Sequence, residues 1–93
     1  MTDKPQITFS LFVLSLSASA EIHLGRLPVP GTDKPAPPNL TEAAHLIEVL
    51  AMLKEKTDGN LDESEEQLID AVLYDLRLRY VEIAGGVNRA VES

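Results

Sequence analysis

Few residues of this chain have types and spacings that could do chemistry. Glu42-x-x-His45 has the separation by which one helix offers two ligands to a metal, as in carboxylate-bridged di-metal bundles. Such a centre needs further inward carboxylates on neighbouring helices, for which Glu21 and Glu48 are the candidates, each doubled in a dimer. Against it, Glu42 falls in a helix cap and His45 beside an apolar stripe, so a solvated helix face accounts for both. Asp58-x-Asn60-x-Asp62 matches the first three ligands of a calcium loop. The sixth position of that loop should be Gly and is Glu63, and the twelfth should be a bidentate Glu and is Ile69. Gly59 as a helix stop and Asp62 as a cap explain the same letters more economically. His23, the second histidine, reads as a semi-exposed helix residue.

Covalent chemistry finds less. There is no cysteine, which removes thiol nucleophiles, disulfides and thiolate zinc sites. No serine sits in a strand-to-helix elbow, and Gly85-Gly86 follows a helix without opening another, so it cradles no phosphate. Arg77 and Arg79, two apart, point to different sides of one helix. One is expected to pair with an acid such as Asp70 or Asp75, leaving the other for a partner. The chain is therefore expected not to be an enzyme, with no catalytic residue, no cofactor and no metal site assigned.

The elements that would hold these residues are helical. In 93 residues there is room for one domain, and with two Phe, two Tyr and no Trp its core must be aliphatic. So small a core is often completed by oligomerisation when disulfides and metals are absent. The net charge of −7 is carried by residues 39–93, with twelve acids against five bases, whereas residues 1–38 balance at three of each. An acidic surface repels phosphate backbones and anionic lipid, so neither nucleic acid nor membrane is an expected partner.

Phe9 to Gly25, FSLFVLSLSASAEIHLG, is the most apolar stretch. Thr8 or Ser10 can cap a helix there and Gly25 can stop it. Phe9, Phe12, Val13, Leu16, Ala20 and Leu24 share one broad arc, while Ser10, Ser17 and Glu21 form a polar seam. Beyond the seam Leu11, Leu14, Ala18 and Ile22 form a second apolar arc, with Ser15 and Ser19 small enough to admit a neighbouring helix. A single helical hairpin covers only one arc. The other marks an interface, unless the helix is buried all round within one three-helix monomer. The competing expectation is a secretory leader, with Ile7–Leu16 as its apolar run and Ala18-Ser19-Ala20 at the cut, but Asp3 and Lys4 cancel where a positive leader is required. The run is also shorter than the roughly 20 residues needed to span a bilayer.

Pro28, Pro30, Pro35, Pro37 and Pro38 make the next segment a semi-rigid strap, although Lys34–Pro38 superficially suits a proline-binding groove. Asn39 and Glu42 have capping-box spacing, and Ala43, Leu46, Ile47, Leu50 and Leu53 form the stripe of a second helix running to about Thr57. A third helix opens at Asp62 with Glu65 three residues on, and Asp62, Glu63, Glu65 and Glu66 complement the positive end of its dipole. Its stripe is Ile69, Val72, Leu73, Leu76, Tyr80 and Ile83, widened by Leu68 and Val81, and Gly85-Gly86 is expected to end it or let it fray. The short loop at 58–61 makes the second and third helices an antiparallel hairpin.

These residues together resemble a bacterial family of uncharacterised proteins, the domain of unknown function 1844. The resemblance rests on Phe9, Phe12, Val13, Leu16 and Gly25, then Glu55-Lys56-Thr57, Gly59-Asn60-Leu61, Leu76-Arg77 and Tyr80-Val81, and covers roughly residues 8–83. The strap departs from the family by being richer in proline. The resemblance implies a fold, not a reaction, and implies that the first apolar segment stays in the domain.

The expected architecture is all-α: a flexible N-terminus at 1–7, then one helical domain at 8–84. Within it lie a helix at 8–24, a strap at 25–38, a helix at 39–57, a turn at 58–61 and a helix at 62–84, before a fraying tail at 85–93. The expected function is a small cytoplasmic interaction or scaffold module. It is a homo-oligomer, most simply a dimer, joined through Leu11, Leu14, Ser15, Ala18, Ser19 and Ile22. The alternatives are an exported or membrane-surface protein using residues 7–16 as leader, and a metal-binding bundle using Glu42 and His45.

Overall fold

Thr8 starts the first helix. A computed structural model of the chain describes the backbone of residues 8–92 and the side chains of residues 8–85. The expected flexible N-terminus at 1–7 lies outside the described residues. Thr8 is in an extended conformation and its hydroxyl accepts the Leu11 N–H at 3.0 Å, satisfying one of the donors a helix start leaves open. The helix, α1, spans Phe9–His23. Its end is a Schellman motif: Gly25 N–H donates to the Ile22 carbonyl at 3.0 Å and Arg26 N–H to the Glu21 carbonyl at 2.9 Å. Gly25 has φ +80°, the left-handed conformation that closure requires.

The proline-rich segment does not run as a straight rod. Val29 N–H donates to the Lys34 carbonyl at 3.3 Å, and the Thr32 hydroxyl donates to the Val29 carbonyl at 2.9 Å or to that of Lys34 at 3.1 Å. These bonds close a turn around Gly31, at φ +86°. The chain then returns to α1, where Asn39 N–H donates to the His23 carbonyl at 2.7 Å. A Cβ at Gly25 would stand 3.2 Å from the Ala36 carbonyl oxygen and 3.4 Å from Pro38 Cγ. Gly25→Ala therefore carries two penalties, roughly 1–2 kcal/mol for the left-handed backbone and a further cost for displacing the returning strap. Gly31→Ala, at a similar φ but facing open space, carries only the first. Urea titration of both variants should show the larger loss at Gly25; equal losses would mean the strap gives way freely.

Helix α2 spans Leu40–Lys56. The Asn39 side chain accepts the Glu42 N–H at 3.2 Å, but the reciprocal half of the expected capping box is not made, because Asn39 has given its own N–H to His23. Lys54 and Lys56 lie in the last turn, where positive charge meets the negative end of the helix dipole. Gly59, at φ +88°, turns the chain, and Thr57 donates from its hydroxyl to the Leu53 carbonyl at 2.7 Å. The box before helix α3, Glu63–Glu92, is complete: Asp62 accepts the Glu65 N–H at 2.8 Å, and Glu65 accepts the Asp62 N–H at 3.0 Å.

The expected stop at Gly85-Gly86 is corrected by α3, which continues to Glu92, so residues 85–92 are not a separate tail. A glycine inside a helix costs about 1 kcal/mol relative to alanine but forbids nothing, and no proline follows the pair.

Each helix packs against the other two. The core is aliphatic: Val13, Ala20 and Leu24 meet Ala43, Ile47 and Leu50 of α2 and Ile69, Val72, Leu73 and Leu76 of α3. No polar or charged residue is buried among those described. Two expectations fail at the margins of the stripes, because Phe12 is 45% exposed and Val81 is 63% exposed. Phe12 lies about 80° around α1 from Ala20, at the rim of its arc and past the reach of either neighbouring helix.

Candidate interaction surface

The residues considered for metal binding do not converge. Glu42, His45 and Glu48 are all exposed on α2, and the Glu21 carboxylate is occupied with Arg26, whose Nε lies 3.4 Å from it. Among the described residues no three His, Cys, Asp or Glu side chains come together. His23 is half-buried, and its backbone carbonyl anchors the returning strap. Asp58 and Asn60 are exposed.

Asp62 is spoken for by the cap. Its carboxylate accepts from the Glu65 N–H, and from the Ser64 hydroxyl at 2.9 Å, and these bonds hold its pKa below the ordinary carboxylate value, the Glu65 amide contributing most. A lowered folded-state pKa gives stability that is present above the unfolded value and lost as pH falls through the folded one. Acid titration of stability should therefore show a component in the acidic range that Asp62→Asn, which keeps a capping oxygen, abolishes. An identical pH profile in the variant would deny Asp62 that role.

Arg79 is the arginine that pairs, with Asp75 at 3.4 Å and Glu82 at 3.5 Å. Lys54 pairs with Asp70 across α2 and α3. Arg77 has no ion-pair partner among the described residues.

What the molecule presents instead is apolar surface. On α1, Leu11 is 51% and Leu14 49% exposed, Ser15 and Ala18 are exposed beside them, and Ser19 and Ile22 are half-buried. Among the described residues the second apolar arc is therefore left largely uncovered. Phe12 joins it, although the sequence pattern turns that ring inward. No charged residue occurs from Phe9 to Ala20, so this face offers hydrocarbon and hydroxyl only. No helix among the described residues is long and apolar enough to cross a membrane.

A second exposed patch was not anticipated. Tyr74, Leu78 and Val81 stand on the outside of α3, next to a hollow of about 250 Å³ between α2 and α3 that Ala44, Ile47, Arg77 and Tyr80 help to line. The signal was present in the spacing, since Ala71, Tyr74, Leu78 and Val81 recur at alternating intervals of three and four. It was masked by the stronger stripe on the opposite side of the same helix.

Compared with known protein families, the chain matches one described as Domain of unknown function (DUF1844), over residues 6–82. No curated protein and no solved structure matches it.

Proposed function

The chain belongs to the family described as Domain of unknown function (DUF1844), a description that names no reaction, and we propose that it is a non-enzymatic, homo-oligomeric interaction module, most simply a dimer of the bacterial cytoplasm. The observation that carries this is the outer face of α1, where two leucines are half exposed on a stretch, Phe9 to Ala20, that holds no charged residue. An apolar surface with no charge to pair is matched best by another of its kind, and a second copy supplies one by two-fold symmetry. Leu11, Leu14, Ser15, Ala18, Ser19 and Ile22 form the contact, with Phe12 at its edge. The small side chains among them let two α1 helices approach closely.

Retention of α1 is supported by what it contributes to the core. A cut after Ala20 would remove Val13 and Ala20, both fully buried, from the core cluster they share with α2 and α3. The acidic outer surface of α2 and α3 keeps the assembly soluble and away from nucleic acid.

Light scattering across a hundredfold range of concentration tests the assembly. The expected mass is twice that of one chain, and a single-chain mass throughout would overturn the proposal. Intact-mass measurement of protein from its native cell tests the compartment, because a new amino terminus at Glu21 means export.

A further inference from the structure

We draw no further inference here: the strongest candidate, the exposed patch of Tyr74, Leu78 and Val81 on the outside of α3, beside the hollow that Glu48 and Arg77 both line, carries nothing because nothing in the structure shows what covers it.

Discussion

Leu50→Ala is expected to remove about 2–5 kcal/mol of folding stability. Leu50 is fully buried at the middle of α2, within the cluster that joins Val13 of α1 and Leu24 just after it to Ile69 and Leu76 of α3. Truncation removes apolar surface from the core and leaves a cavity that three packed helices close only in part. Domains of this kind have a total stability of roughly 5–15 kcal/mol, and a chain this short belongs near the lower end. The variant should therefore be close to unfolding at ordinary temperature. Met52→Ala serves as the control, because Met52 lies on the same helix but is 45% exposed. Urea midpoints measured at matched concentration should separate the two variants clearly. Matching losses would mean that the core does not centre on Leu50.

Local signals in the sequence held wherever local chemistry decides. Thr8, Asn39 and Asp62 each cap a helix because a short oxygen-bearing side chain reaches the open donors ahead of it, and that depends on nothing distant. Arg79 was similarly decidable: Asp75 and Glu82 stand four and three residues away, whereas Arg77 has only Leu73, Tyr74, Tyr80 and Val81 at those intervals. Glycine was less informative. Gly25 and Gly59 stop helices because the chain needs positive φ there, while Gly85 sits inside one, and residue type alone does not separate these cases. The rims of the stripes were not legible at all. Whether Phe12 or Val81 is covered depends on the side from which the third helix approaches, and periodicity carries no such direction. The completed box at Asp62 and the half box at Asn39 differ for a related reason: the returning strap puts the His23 carbonyl in reach of Asn39, a contact between residues far apart in the chain.

Leu14→Asp should convert the proposed dimer into a folded monomer. Leu14 stands half exposed near the centre of the uncharged face, so in a two-fold contact the substitution introduces a carboxylate from each chain into one patch of hydrocarbon. Two like charges there lose water without gaining a partner, and each costs several kcal/mol. A net loss of about 4 kcal/mol weakens association roughly a thousandfold, enough to dissolve the dimer at micromolar concentration. In the single chain the same aspartate points into water, and its penalty is the modest helix propensity of Asp, about 0.7 kcal/mol at most. Helical circular dichroism should therefore be unchanged while the mass by light scattering halves. Ala18→Lys, one turn along the same arc, should do the same. Leu78→Asp, on the exposed patch of α3, should leave the mass of the proposed dimer intact. If Leu14→Asp and Leu78→Asp both keep the parental mass, the contact lies elsewhere than on α1; if Leu78→Asp alone lowers it, the contact is made by α3.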